Sequence, residues 1–184
     1  METEGRAQLE IKFLEWLQTW HTPLLDKIMV CITTLGNDGI LWIVIAILLL
    51  CSRKYRVTGV TVGIALLLCL LLGNLGLKPL IQRMRPYNVS GFSHLLIAKP
   101  TDYSFPSGHT MSSFAAAGVL YSLNRRIGVA ALTVAFFIAF SRMYLYVHFP
   151  TDILAGLLIG LLIAWFCVTY IKNKLLTKWR GYYE

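Results

Sequence analysis

Long uncharged apolar segments constrain the fold of this chain more than any other feature. The clearest is Val57–Leu77, whose 21 residues include no Asp, Glu, Lys or Arg. As an α-helix this segment would rise about 31 Å, which matches a bilayer core of about 30 Å. Hydrophobic residues make up 57% of the chain and charged residues 14%, and the mean hydropathy is +0.63. These values lie outside soluble usage and predict an all-α polytopic membrane protein.

Five further apolar segments are predicted as membrane helices. They are Leu24–Leu35, Ile40–Cys51, Ser107–Leu123, Ile127–Tyr146 and Asp152–Ile171. The first two are short for a bilayer, and the sequence Gly36-Asn37-Asp38-Gly39 between them favours a turn, so they are predicted to form a helical hairpin. With Val57–Leu77, these segments predict a bundle of six transmembrane helices within residues 23–172.

The two ends of the chain are more polar than its middle. Residues 7–20 alternate apolar and polar side chains with a roughly helical period. This pattern fits an interfacial amphipathic helix within residues 1–22, and it fits an inward extension of the first span equally well, because Pro23 separates the two only weakly. Residues 173–184 are rich in Lys and Arg. They are predicted to form a basic cytoplasmic tail.

The distribution of Lys and Arg predicts the orientation in the membrane. Short basic loops tend to stay in the cytoplasm. Such loops follow the second, fourth and sixth spans, and they include Arg53-Lys54-Tyr55-Arg56, Arg125-Arg126 and the tail. The opposite, extracytoplasmic face carries another basic set, namely Lys78, Arg83, Arg85, Lys99 and Arg142. Since basic residues are normally disfavoured on the extracytoplasmic face, we expect these residues to have another function that keeps them there.

Three polar segments fall on this extracytoplasmic face. They are Lys78 through Arg85-Pro86, then Pro106-Ser107-Gly108-His109, then Ser141-Arg142 followed by His148 and Asp152. The first follows span three, the second opens span four, and the third joins spans five and six. Alternation of the spans therefore brings all three segments to one side of the membrane.

The residue types in these segments suit a phosphoryl group. Lys78, Arg85 and Arg142 offer three cations and many hydrogen-bond donors for phosphate oxygens. Ser104 is predicted to cap the helix that follows, with Pro106 in its first turn. The backbone N–H groups of Ser107 and Gly108 would then be free to bind the same oxygens.

The two histidines add the groups that phosphoryl transfer requires. His148 is a candidate nucleophile, and Asp152 in the first turn of the last span would accept a hydrogen bond from one ring nitrogen and orient the other for attack. His109, beside the cations, would give a proton to the leaving oxygen. The sequence therefore predicts His148, His109 and Asp152 as the catalytic set.

The three segments together resemble the type 2 phosphatidic acid phosphatase family. Its pattern is a lysine, six residues and Arg-Pro, then Pro-Ser-Gly-His, then Ser-Arg, five residues, His, three residues and Asp, and every position matches. The resemblance implies a six-helix bundle, an outward-facing site without a metal cofactor, His148 as nucleophile and His109 as general acid. It also implies a set of phosphate ligands, namely Lys78, Arg85, Ser107, Gly108 and Arg142.

Several polar residues lie outside that pattern. Arg83 is as consistent with a contact to lipid headgroups as with a role at the site, and Asp102 fits a solvated loop better than the entrance of the site. Neither His21 nor His94 has a matching partner in the sequence, and neither is expected to be catalytic.

The expected function is hydrolysis of a lipid phosphomonoester or pyrophosphate in the cell membrane. Undecaprenyl pyrophosphate, phosphatidic acid, phosphatidylglycerol phosphate and diacylglycerol pyrophosphate all stay open as substrates, because the motif residues recognise only the phosphoryl group. A lipid phosphotransferase and a non-catalytic lipid-binding or transport protein are the alternatives. The related vanadium-dependent haloperoxidases use a similar pocket, but the apolar spans argue against that activity. The charge of +8 is dispersed along the chain, so no nucleic-acid partner is expected.

Overall fold

The structure is a computed structural model that describes residues 2–180, and every regular element in that range is helical. The predicted all-α class is confirmed for this part of the chain. The α-helices are α1 (Glu2–Gln18), α2 (Pro23–Leu35), α3 (Ile40–Cys51), α4 (Arg56–Cys69), α5 (Lys78–Ile81), α6 (Pro86–Ser90), α7 (Gly108–Tyr121), α8 (Arg125–Tyr144), α9 (Pro150–Phe166) and α10 (Asn173–Arg180). The predicted tail 173–184 begins with α10, and residues 181–184 lie outside the described part.

A helix lies at each of the six predicted positions, but fewer than six helices qualify individually as membrane spans. Within residues 2–180, three segments are long and apolar enough to cross a membrane, namely Arg56–Ser90, Arg125–Tyr144 and Pro150–Leu175. The two arms of the predicted hairpin are long and apolar enough to cross a membrane only when they are taken together, and they are bent by 46° at the break between them. If this bent pair forms a single span, the number of spans is four. The number of six spans stays a prediction.

The N-terminal helix α1 is separate from α2. Thr22 caps α2 through its hydroxyl, which accepts from the N–H of Leu25, and Pro23 occupies the first helical position. Residues 7–20 therefore do not extend α2 as one helix. Leu14 and Leu17 are fully buried in a cluster with Tyr144, whereas the aromatic side chains on the other face of α1 are exposed. This arrangement fixes α1 against the end of α8.

Helix α7 forms the centre of the bundle and packs against α4, α8 and α9. Its small side chains Ala115, Ala116 and Ala117 are fully buried. On α9, a Cβ added to Gly156 would lie 2.8 Å from the carbonyl oxygen of Ser107, and one added to Gly160 would lie 2.5 Å from that of Met111. Both glycines thus allow α9 to approach α7 closely.

Two breaks in helical geometry shape the end of the bundle that carries the motifs. After α4 the chain continues as a π-helix over Leu70–Leu77 and then as the short helix α5. It ends at Gln82, which has a φ of 51°. The predicted turn between α2 and α3 is confirmed at Asn37–Gly39, with Asp38 and Gly39 in the left-handed region. Both breaks direct polar side chains toward the same end.

Candidate active site

A cavity of about 930 Å³ opens at this end of the bundle. Its wall includes most of the predicted site residues, namely Lys78, Arg85, Gly108, His109, Arg142 and His148. Ser107 and Asp152 are buried behind this wall. The structure therefore brings together three segments that are distant in the sequence. Lys78 and His148, for example, are 70 positions apart.

His148 is held between a basic side and an acidic side. Its Nε2 atom lies 3.2 Å from Nη1 of Arg85, and its Nδ1 atom lies 3.4 Å from the hydroxyl of Ser104. Burial, and then the positive charges of Arg85, Arg142 and Lys78, lower the pKa of His148 well below its ordinary value. A neutral imidazole is the form that has a free ring nitrogen for attack.

Asp152 does not contact His148 in the way that the sequence predicts. The distance from its Oδ2 atom to Nδ1 of His148 is 3.6 Å, which is too long for a hydrogen bond. The hydroxyl of Ser104 donates to the same Oδ2 atom at 2.5 Å, and the N–H of Phe149 donates to it at 2.9 Å. The carboxylate is occupied by these donors at the start of α9, so Ser104 connects it to the imidazole.

Ser104 is consequently not the helix cap that the sequence predicts. Helix α7 begins three residues later than that prediction implies, at Gly108, and Ser107 is its N-cap because its hydroxyl accepts from the N–H of Thr110. The N–H of Ser107 donates to the carbonyl oxygen of Asp152 at 3.2 Å. The prediction that this N–H is free to bind a ligand is therefore wrong. Gly108 does face the cations, since a Cβ added to it would lie 3.9 Å from Nζ of Lys78.

Asp102 joins two of the predicted phosphate ligands. Its carboxylate accepts hydrogen bonds from Nζ of Lys78 and, at 2.5 Å, from Nη2 of Arg85. Partial burial acts to raise the pKa of Asp102, but Lys78 and Arg85 outweigh that effect and lower the pKa to about 2. The residue is therefore not simply a solvated loop residue, and sequence analysis missed this contact because Asp102 has no place in the motif.

Arg142 and His109 are each held by a residue that sequence analysis also missed. Nη1 of Arg142 donates to the hydroxyl of Thr33 at 2.6 Å, and among the described residues its buried Nε has no hydrogen-bond partner. Nε2 of His109 lies 3.0 Å from Oδ1 of Asn37. A signal was available for Asn37, since the turn between the first two spans faces the same side as the three motifs.

The residues left outside the motif separate into two groups. His21 stacks on Tyr144 and His94 is exposed, and neither lines the cavity. Arg83 instead donates to Asp152 at 2.5 Å, from the side opposite His148. No group of three or more His, Cys, Asp or Glu residues suited to a metal ion occurs within the described residues.

Comparison with known proteins supports the family that the motifs indicate. The sequence model of the PAP2 superfamily matches residues 56–176. An undecaprenyl-diphosphatase of Sulfolobus acidocaldarius is 34% identical over 137 residues, which cover 74% of this chain and 66% of that protein. The chain thus spans about two thirds of the length of that relative.

Solved structures share the architecture. The transmembrane PAP2-type phosphatidylglycerolphosphate phosphatase from Bacillus subtilis superposes with a TM-score of 0.77 at 27% identity, covering 90% of this chain and 86% of that one. A bacterial vanadium-dependent iodoperoxidase superposes with a TM-score of 0.72 over 88% of this chain and 48% of its own, but at 18% identity it shows the fold alone. The motifs, the helical bundle and these matches together mean that the chain belongs to the PAP2 superfamily.

Proposed function

We propose that the protein is a membrane lipid phosphatase that transfers a phosphoryl group from its substrate to Nε2 of His148 and then to water. The observation that carries this proposal is the position of Nε2, which lies on the cationic side of the imidazole, 3.2 Å from Arg85. The other nitrogen points to Ser104 and Asp152. In this arrangement the lone pair of Nε2 accepts from the Arg85 guanidinium, and a phosphate that bound that guanidinium would release the lone pair for attack.

The reaction proceeds in two steps with balanced proton transfers. In the first, Nε2 of His148 forms a bond to phosphorus while the bond from phosphorus to the lipid oxygen breaks, and His109 gives that oxygen a proton. In the second, a water oxygen forms a bond to phosphorus while the bond from phosphorus to Nε2 of His148 breaks, a proton from the water returns to His109, and inorganic phosphate leaves. His109 lies on the cavity wall beside the α2–α3 turn, where its Nε2 atom is 3.0 Å from Oδ1 of Asn37, and its place on this wall supports its role as the proton donor.

The phosphoryl oxygens would be bound by cations and by the start of α7. Lys78, Arg85 and Arg142 face the cavity and supply charge-assisted hydrogen bonds. The N–H of Gly108 is at the first position of α7, where helix amides lack partners within the helix. The hydroxyl of Ser107, which already caps α7, completes the proposed set of phosphate ligands. These charges stabilise the transition state without a metal ion or other cofactor.

The apolar part of the same cavity supports a lipid substrate. It extends from the cationic end along α3 and α4, where Ile43, Ile47, Leu50, Leu66 and Leu67 line it. Gly63 also lies on this wall, and a Cβ added there would meet no described atom within 4 Å. A headgroup at His148 would thus place its hydrocarbon tail in this part of the cavity, along α3 and α4.

The proposed membrane arrangement follows from the charges. Residues 23–172 would form the six-span phosphatase domain, with residues 1–22 at the membrane surface and the basic tail 173–184 in the cytoplasm. The active site would face the extracytoplasmic side, since the loops carrying Arg53 and Arg125 lie at the other ends of the helices. A cysteine introduced at Thr101 should react with an impermeant reagent in intact cells, and reaction only after lysis would reverse the orientation.

Phosphate release tests the activity and the substrate together. The relatives act on undecaprenyl diphosphate and phosphatidylglycerolphosphate, as their names state. Purified protein in detergent should release phosphate from at least one of four lipids, namely these two, phosphatidic acid and diacylglycerol pyrophosphate. Release should continue in excess chelator and be inhibited by vanadate, while His148→Ala should release none. A protein that only binds lipid phosphate would release none in either form.

A further inference from the structure

We infer that Arg83 and Glu10 are positioning residues for Asp152, so that the N-terminal helix α1 helps to hold the His148 imidazole in place. This inference rests on the proposed role of His148. Nη1 of Arg83 donates to Oδ1 of Asp152 at 2.5 Å, and Nη2 of Arg83 donates to Oε2 of Glu10 at 2.6 Å. The guanidinium therefore joins a fully buried carboxylate to a carboxylate on α1.

The two oxygens of Asp152 have different partners. Oδ2 accepts from Ser104 and from the N–H of Phe149, on the side of His148. Oδ1 accepts from Arg83 on the other side. With both oxygens occupied, the carboxylate is fixed in rotation, and the Ser104 hydroxyl that it orients is fixed with it. Arg83 does not line the cavity, so it acts on His148 only through these groups.

Glu10 holds this arrangement from outside the matched family segment. Its Oε1 atom accepts from both the N–H and the hydroxyl of Thr151, at 2.9 and 2.7 Å. Its side chain is only 13% exposed. The guanidinium of Arg83 also lies over the ring of Phe149, with 4.0 Å between Cζ and the ring centroid. Helix α1 precedes residues 56–176, so the family motif does not include this contribution.

Removal of the Arg83 charge should alter the electrostatics of His148. Apart from His148 when that residue is protonated, Asp152 has no other cationic partner among the described residues, so Arg83→Gln would leave the negative charge of Asp152 without a neighbouring fixed cation. The remaining charged groups that act on His148 are Arg85, Arg142, Lys78 and Asp102. Without the positive charge of Arg83 beside it, the negative charge of Asp152 stabilises the protonated imidazole more strongly, which raises the pKa of His148. The acid limb of the pH–rate profile should therefore move to higher pH.

The experiment compares wild type with four variants, namely Arg83→Gln, Arg83→Lys, Glu10→Gln and the Arg83→Gln/Glu10→Gln double variant. For each protein, kcat, KM and the acid limb of the pH–rate profile are measured with one lipid substrate in detergent. We expect Arg83→Gln to lower kcat by about 10- to 100-fold and Glu10→Gln by less, with KM within about twofold of wild type. The double variant should lose little more than Arg83→Gln alone, because the two residues act as a unit. Arg83→Lys should recover part of kcat and the original acid limb.

Exposed residues of the same types serve as controls. Arg126→Gln on α8 and Glu15→Gln on α1 should leave all three quantities unchanged. An increase in KM with unchanged kcat in Arg83→Gln would overturn the inference, since it would mean that Arg83 binds the substrate. A wild-type kcat in Glu10→Gln would also overturn it, even if Arg83→Gln failed to fold. Full activity in His148→Ala would instead refute the proposed function.

Discussion

Nδ1 of His148 and Oδ2 of Asp152 lie 3.6 Å apart, and the hydroxyl of Ser104 contacts both. The Ser104 hydroxyl donates its hydrogen to Asp152, so the Ser104 oxygen is left to accept a hydrogen bond from an N–H group at Nδ1 of His148. This orientation assigns the proton to Nδ1 and the lone pair to Nε2. The tautomer that the proposed mechanism requires is therefore set by a serine and a carboxylate together.

Asp152→Asn should damage turnover far more than substrate binding. An amide keeps the shape of the side chain but cannot stabilise the imidazolium or hold the same tautomer, so kcat should fall by about 10³- to 10⁴-fold. Ser104→Ala should lose less, because Asp152 keeps its charge. Initial rates with a lipid substrate, at saturation and below KM, measure both effects. A kcat within twofold of wild type in Asp152→Asn would exclude the orienting role.

Asp102→Asn should strengthen the binding of phosphate-like inhibitors. The Asp102 carboxylate accepts from Lys78 and Arg85, which a phosphoryl group must also contact, so substrate has to compete with it. Because the side chain is 47% exposed, the expected gain in vanadate affinity is modest, about threefold to tenfold. Asp102→Glu should behave like wild type. Weaker vanadate binding in Asp102→Asn would show instead that Asp102 positions the two cations.

The pH dependence of this effect follows from the lowered pKa of Asp102. With a pKa of about 2, the carboxylate is ionised at all pH values above about 4. The ratio of vanadate inhibition constants between wild type and Asp102→Asn should therefore stay constant between about pH 5 and 8. The contribution of the ion pair to stability should be present above about pH 4 and be lost as the pH falls toward 2.

A large side chain at Gly63 should discriminate between substrates by their tails. The position faces the apolar part of the cavity, so Gly63→Phe would fill space proposed for the hydrocarbon chain. KM for a long-chain lipid phosphate should rise about tenfold or more, since each buried methylene contributes about 0.8 kcal/mol. The KM for p-nitrophenyl phosphate should not change. Leu48→Phe, on an exposed face of α3 outside the cavity, is the control.

Gly160→Val should destabilise the bundle without acting on the chemistry directly. The added side chain would meet the carbonyl of Met111 and the N–H of Ala115 on α7, and backbone atoms cannot move aside as a flexible side chain can. Overpacking of this kind costs about 1–3 kcal/mol. The melting temperature in detergent should fall, whereas Gly63→Ala should leave it nearly unchanged. An unchanged melting temperature in Gly160→Val would mean that α7 and α9 separate easily.

The motifs were sufficient to predict which residues meet, because they combine fixed spacing with placement on alternating spans. His148 and Lys78 lie 70 residues apart in sequence and on the same cavity wall in the structure. The contacts between them were less predictable. The local pattern predicts Ser104 as a helix cap, whereas in the folded protein its hydroxyl donates to Asp152. Whether a polar residue in a loop is solvated or paired depends on neighbours distant in sequence.

The same limit applies to Arg83 and to the count of spans. Glu10 is 73 residues from Arg83, and no local signal connects them. Helix lengths were predicted within a few residues, but hydropathy did not show that α7, with 14 residues, would be surrounded by other helices or that α2 and α3 would bend by 46°. Both features arise from packing of one helix against another.

The most direct test of the central claim is trapping of the phosphoenzyme. Protein mixed rapidly with radiolabelled p-nitrophenyl phosphate and quenched in base should carry an acid-labile, base-stable label in the wild type. The label should be absent in His148→Ala. It should persist in His109→Ala, because an activated leaving group needs no proton, although His109→Ala should lose most activity toward a lipid alkoxide. A labelled intermediate in His148→Ala would contradict the account, and its loss in His109→Ala alone would reverse the two roles.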